Sequence, residues 1–319
     1  MSITEASLST SAADCDVLAG IRHAIADFLQ HCGLQYTPTT IDEELYNKCC
    51  QDAINRGFPM SDEDYSLRPY MVIGVTMSSI AYGHLTNPAT RMWLCHFTAA
   101  GICVDDTMKR QQDMENLYRF NERFATCQPQ GDAVLNTWDE ILRETPRHFS
   151  PLVSGFITTS TLDFISGLLL EYETQGMKIS RDAPMYPEYT RLLSGLAHGF
   201  AYFVFPPTVP LLDYVQCIPD LMFFLNHAND ILSYYKEEIE GDSTNYVSLL
   251  AASRGLTKHE ALCRLIEKTV LAHHNIVKCL KPHPEAYEAY ASVCHGYIKF
   301  HTALKRYMVK EIMAEKSLL

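Results

Sequence analysis

The segment Leu221-Met222-Phe223-Phe224-Leu225-Asn226-His227-Ala228-Asn229-Asp230-Ile231-Leu232-Ser233-Tyr234-Tyr235-Lys236-Glu237 sets the reading of the chain. It opens on five consecutive apolar residues, the pattern of a central bundle helix that is apolar around most of its circumference. Polar groups then recur at Asn229, Ser233 and Glu237. Four residues of helix advance about 40° net, so these side chains drift about 80° in all, and Lys236 returns to within about 20° of Asn229. An amide oxygen, a hydroxyl and a carboxylate on one stripe are hard donors suited to Mg²⁺, which keeps its waters and accepts phosphate oxygens as co-ligands. A merely solvated helix face is the alternative reading of the same spacing.

Outward from this segment the periodicity stays helical, and no pair of alternating runs is joined by an Asn-Gly or Asp-Gly turn. The fold class read here is all-α. Breakers at 57–61, 127–132, 145–151, 180–187, 206–210 and 281–284 divide the chain. They leave long candidate helices near 88–124, 151–176, 187–204, 218–240, 257–280 and 284–315, and shorter ones near 16–31, 41–56 and 69–84. No low-complexity linker or internal repeat interrupts them, so residues 15–319 read as one large helical bundle. Residues 1–14, rich in Ser, Thr and Ala without a basic or apolar leader region, read as a flexible tail.

Composition narrows the function. With 319 residues, 47% of them hydrophobic and 20% charged, the chain supports a sizeable core. A net charge of −12 is the wrong sign for binding a phosphate backbone, so no nucleic-acid partner is expected. The 11 cysteines are scattered and contain no Cys-x-x-Cys pair, the usage of reduced thiols in a cytoplasmic protein. No uncharged apolar run reaches the roughly 18 residues of a membrane span, and the longest, Leu196–Leu212, contains His198 and three prolines, so no anchor is expected. The 13 histidines include no His-Glu-x-x-His, which argues against a zinc hydrolase.

A second polar element, Asp105-Asp106, follows Met92–Val104, a stretch without a charged residue. Adjacent carboxylates at the end of an apolar helix repel one another unless a cation or donors sit between them. Arg191 precedes Phe200, Tyr202, Phe203 and Phe205, and Arg306-Tyr307 lies near the C-terminus.

Taken together, Asp105-Asp106, the Asn229/Ser233/Glu237 triad with Lys236, Arg191 and Arg306-Tyr307 resemble the fungal class I terpene cyclases, most closely the trichodiene synthase-like branch. The resemblance spans about residues 65–310. It implies a bundle with a central apolar pocket, commonly a homodimer, that binds three Mg²⁺ and a linear isoprenoid diphosphate. In that pattern Asp105 is a metal ligand supported by Asp106, while Asn229, Ser233 and Glu237 chelate another ion. Arg191 senses the diphosphate, and Lys236, Arg306 and Tyr307 donate hydrogen bonds to it. The branch makes sesquiterpenes, which favours farnesyl diphosphate. The pattern departs at Lys109, where an acidic residue is expected.

A carbocation needs apolar, aromatic walls that do not react with it. Tyr70, Trp93, Phe97, Phe200, Phe203, Phe223 and Phe224 are the candidates, two or three of them expected at the substrate. Gly195, four residues after Arg191, either breaks its helix to aim a carbonyl at the pocket or serves helix packing. A chain-elongating prenyl diphosphate synthase would carry a second Asp-rich motif where Asn229, Ser233 and Glu237 stand. A non-catalytic all-α dimer with solvated polar stripes is the reading from another class.

Overall fold

The computed structural model of the chain describes residues 12–314 except 38, 63–64 and 111–113, and their side chains except those of 12–17, 107–110 and 314. Helices form α1 (Ala12–His31), α2 (Glu43–Asn55), α3 (Met71–Thr76), α4 (Pro88–Arg110), α5 (Met114–Tyr118), α6 (Phe120–Ala125), α7 (Ala133–Arg143) and α8 (Pro151–Glu173). They continue as α9 (Tyr186–Ser194), α10 (Ala197–Phe203), α11 (Ile218–Glu240), α12 (Tyr246–Arg254), α13 (Lys258–Leu280), α14 (Pro284–Ala303) and α15 (Val309–Ala314). Among the described residues there is no strand.

Local chemistry accounts for the helix ends. Proline occupies the first turn of α8, α11 and α14, where its missing N–H costs nothing. Asp42, Asp132 and Asn245 cap α2, α7 and α12 by accepting from backbone N–H groups three residues on. Thr257 and Glu260 form a reciprocal capping box on α13. At the far end of α11, Gly241 takes φ 70°, and the N–H of Asp242 reaches back to the carbonyl of Glu237 at 2.9 Å.

Several expectations are corrected here. The first helix starts at Ala12, inside the expected tail; residues 1–11 lie outside the described residues. The expected 88–124 helix is described as far as Arg110 and again from Met114, and it is interrupted at Arg119 between α5 and α6; residues 111–113 lie outside the described residues. The expected 187–204 helix is broken between α9 and α10, where Leu196 takes a left-handed φ of 51°. The expected 284–315 helix stops at Ala303: Leu304 is extended, a 3₁₀ turn spans Lys305–Tyr307, and Met308 has φ 54°. Helices α7 and α12 were missed, although each begins at a readable Asp or Asn cap.

The core runs through the whole bundle. α11 packs on α10 and α13, α4 on α3 and α7, and α8 on α9 and α10. Trp93, Phe97, Phe149 and Phe203 form a buried aromatic knot with ring centroids 5.0–5.5 Å apart. α8 is, among the described residues, the one helix long and apolar enough to cross a membrane; half of that window is buried inside the bundle. α14 crosses a π-helical segment, Met77–Ala81, at a glycine: a Cβ on Gly296 would lie 2.2 Å from the carbonyl oxygen of Ile80.

Because that neighbour is backbone, relief requires the two helices to part. Gly296→Ala is expected to destabilise the fold by about 1–3 kcal/mol, read as a lowered midpoint in thermal or urea unfolding.

Candidate active site

A cavity of about 170 Å³ lies between α4, α8, α9, α10, α11 and α14. Its wall is largely apolar, with Met77, Phe97, Ile102, Phe164, Leu196, Phe200, Leu225 and Phe300. Asp105, Arg191, Asn229 and Tyr307 supply polar groups to the same wall. One residue of the sequence stripe, Asn229, and both ends of the resemblance therefore converge on one space, from four different helical elements, while Ser233, Lys236 and Glu237 lie outside its lining.

Arg191, in the last turn of α9, is the hub. Its guanidinium pairs with Asp230 at 2.9 Å (Nη2 to Oδ1) and 3.1 Å (Nε to Oδ2). It also donates to the carbonyl of Asn226 at 3.1 Å and to Asn229 Oδ1 at 3.2 Å. His227 Nδ1 lies 2.8 Å from Asp230 Oδ2. Burial alone would raise the Asp230 carboxyl; Arg191 and His227 outweigh it and hold the group below its ordinary value. Asp230, unassigned in the sequence reading, thus positions the sensor arginine.

Ser233 Oγ is buried and reaches no partner at full hydrogen-bond geometry among the described residues, though it stands close enough to the Glu237 carboxyl to pull it down. A buried hydroxyl so weakly paired can take a further ligand. Glu237, one turn on, is pushed by burial up to about 7, with Ser233 and Lys236 opposing the rise and the Asp230 charge adding to it. Lys236, largely buried, lies 3.6 Å from Glu240. The donor set Asp105, Asn229, Ser233 and Glu237 is all oxygen, hard and of mixed charge, which fits Mg²⁺. Among the described residues no three His, Cys, Asp or Glu side chains form a ready metal cage.

The C-terminal turn closes one side. Arg306 reaches Asp106 with two donors at 3.3 and 3.4 Å, so Asp106 faces the arginine while Asp105 faces the cavity. Burial pushes the Tyr307 hydroxyl up to about 12; Arg306 opposes the rise, and Asp105, Glu237 and Asp106 add to it, which places both acidic elements around one phenol. His301 is fully buried and pushed by desolvation down to about 4, hence neutral near pH 7. Lys109 belongs to α4, but its side chain lies outside the described residues.

Of the eight pocket candidates, Phe97, Phe200 and Gly195 line the cavity. The others do not, and helix phase explains most of them. Phe223 and Phe224 lie about 90° and 170° round from the centre of the polar face of α11; they pack against His227 and against Phe28 and Tyr290. Trp93 is about 110° off the cavity face of α4 and donates its indole N–H to the carbonyl of Ile141. Phe203 sits one turn deeper than Phe200, against its ring edge. Tyr70 is buried in the 3₁₀ turn ahead of α3. Gly195 satisfies both readings in part: the helix does break there, and a Cβ would meet Asn226 Oδ1 at 1.9 Å.

Sequence reasoning missed Phe164, Tyr297 and Phe300 in the wall, His301 behind Asn229, and Glu171 at the end of α8. Glu171 is exposed at its helix end, yet desolvation and then Asp105 raise its carboxyl, while Ser194 and Arg191 pull it down. It is a third acidic group at this mouth. The aromatic and histidine positions recur every three or four residues ahead of Arg306-Tyr307, a spacing that could have signalled them.

A profile of the family described as Trichodiene synthase (TRI5) matches residues 72–318. The chain is similar to alpha-cuprenene synthase COP6 of Coprinopsis cinerea, with 34% identity over 293 residues that cover 92% of this chain and 90% of that protein. It is also similar to trichodiene synthase of Gibberella pulicaris, at 30% over 174 residues, 52% of this chain and 45% of that one. Among solved structures, linalool/nerolidol synthase from Streptomyces clavuligerus shares the fold, with a TM-score of 0.59 at 14% identity over 89% of this chain and 100% of that one. The profile match over most of the length, met by a relative aligned nearly end to end, establishes that this chain belongs to the trichodiene synthase family and is a terpene synthase.

Proposed function

We propose that the chain ionises farnesyl diphosphate with Mg²⁺ and cyclises the resulting cation to a sesquiterpene hydrocarbon or alcohol. The observation that carries this is the meeting of Asp105, Arg191, Asn229 and Tyr307 at one largely apolar cavity. In this reading Asp105, with Asp106 behind it, and Asn229, Ser233 and Glu237 hold the metal, three ions in the full complement. The bound metal neutralises the diphosphate and stabilises the charge that grows on it as the allylic C–O bond breaks.

The chain supplies the rest. Arg191 is held extended at the cavity by Asp230, so its Nη2 can exchange Asn229 Oδ1 for a phosphate oxygen without losing its anchor. Lys236, Arg306 and Tyr307 add donors on the same side, and Tyr307 stays protonated because its hydroxyl titrates far above neutrality. These donors act most strongly on the leaving group, where negative charge develops. The rings of Phe97, Phe200 and Phe300 offer π faces to the cation, each worth about 0.5–2 kcal/mol. The Arg306–Asp106 pair holds the C-terminal turn beside the cavity and limits entry of water. A homodimer and a cytoplasmic location complete the proposal; the ten described cysteines are thiols, which suits a reducing compartment.

Incubation with ten-, fifteen- and twenty-carbon diphosphates and Mg²⁺ should release diphosphate and yield an extractable terpene with the fifteen-carbon substrate. No product with any of the three overturns the proposal. Asn229→Ala and Glu237→Gln should each lower turnover by about 100-fold or more while circular dichroism stays unchanged; wild-type rates would reduce the stripe to a wet helix face.

Glu237 adds a pH test. Its folded value, about 7, lies above the ordinary 4.5, so its contribution to metal-free stability is complete below about pH 4.5 and lost as pH rises through 7. The melting temperature of Glu237→Gln, without metal, should therefore gain on the wild type between pH 5 and pH 8. A constant difference across that range would show that the carboxyl is not perturbed.

A further inference from the structure

His301 lies on α14 and is 0% exposed. Its Nδ1 stands 2.8 Å from the carbonyl oxygen of Tyr297. A carbonyl only accepts, so Nδ1 carries the hydrogen and Nε2 presents a lone pair. That lone pair faces Asn229 Nδ2 at 3.1 Å, while the other end of the amide, Oδ1, accepts from Arg191 at 3.2 Å. Turning the amide over would set two donors against each other at Arg191 and two acceptors against each other at His301. The amide therefore has one permitted orientation, fixed from both ends.

The two constraints are not equivalent. Arg191 is the group that turns to the diphosphate in the reading above, on which this inference rests; once it does, the imidazole is, among the described residues, the protein group that still tells oxygen from nitrogen at Asn229. We propose that His301 is a positioning residue that keeps the amide oxygen of Asn229 toward the metal after Arg191 has engaged the substrate. A metal-binding amide whose nitrogen is free to swing inward would lose affinity, as ligands do when their outer hydrogen-bond partners are removed.

A packing role has to be separated from this one, because the His301 ring also lies 4.6, 5.1 and 4.4 Å from those of Tyr297, Phe300 and Tyr307. His301→Phe keeps a ring and removes the acceptor; His301→Gln keeps an acceptor and a donor. His301→Leu, also without an acceptor, is measured in parallel, so that a folding failure of one leaves the other to decide. The readout is calorimetric binding of inorganic diphosphate in the presence of Mg²⁺ to the full chain, beside the metal-free melting temperature. The Phe and Leu variants should bind roughly 10- to 100-fold more weakly, and the Gln variant should recover most of that loss at a similar melting temperature.

In an Asn229→Ala background the His301→Phe change should cost nothing further, because the amide it orients is gone. Wild-type binding by the Phe or Leu variant, equal losses in Phe and Gln, or losses that multiply with Asn229→Ala would each overturn the proposal. Unchanged binding in Asn229→Ala alone would instead overturn the metal reading, and this inference with it.

Discussion

The ion pair between Arg191 and Asp230 joins α9 to α11 at the cavity. At 2.9 Å it ties the end of α9 to the middle of α11, and the same guanidinium reaches Asn226, one turn earlier, and Asn229, the residue just before Asp230. Removing either partner would leave a buried charge without its counter-ion, a costly state. The close approach that the pair enforces also explains Gly195: at the end of α9 there is no room for a Cβ against Asn226. From this junction follow the break in the helix, the left-handed Leu196 and the turn of α10 that brings Phe200 to the cavity.

The cavity exists because its two kinds of wall come from different places. Residues of α4, α8, α10 and α14 meet around it as apolar and aromatic surfaces. The charged groups gather on one side, where α4, α9, α11 and the turn at Lys305–Tyr307 present their ends or polar faces. A diphosphate and a hydrocarbon chain need this division. The first must be neutralised by cations, the second enclosed by groups that neither bind nor trap a carbocation.

How much of this could be read in the sequence depended on whether one helix sufficed. Asn229, Ser233 and Glu237 were legible because all three sit on α11, where spacing alone determines phase. Asp105 and Arg191 gained meaning only in combination. Tyr297, Phe300, His301 and Glu171 were not legible, since their places depend on how α14 and α8 pack against helices far away in the chain. Trp93 and Phe224 were misread for the complementary reason: nearness in sequence to a site residue says nothing of the face occupied. The breaks at Leu196 and Met308 were hidden because neither residue favours φ of 51° or 54°; tertiary contacts impose that conformation. The caps of α7 and α12 at Asp132 and Asn245 were plain signals that went unused.

Two carboxylates on α11, seven residues apart, show how one helix divides its labour. Asp230 has its cations within the protein, Arg191 and His227, and its carboxyl is held low. Glu237, on nearly the same face, is desolvated, and the Ser233 hydroxyl and Lys236 offset this only in part, so it is pushed up to about 7. Burial is common to both, so the difference lies in partners supplied by other helices. A carboxylate already satisfied gains little from a further cation and serves to fix geometry. One that is buried and under-compensated gains much, and metal would relieve the penalty its fold imposes. In the other acidic element Asp106 pairs with Arg306 and Asp105 lines the cavity. In each acidic element, then, one carboxylate anchors a cationic side chain of the protein, Asp230 for Arg191 and Asp106 for Arg306.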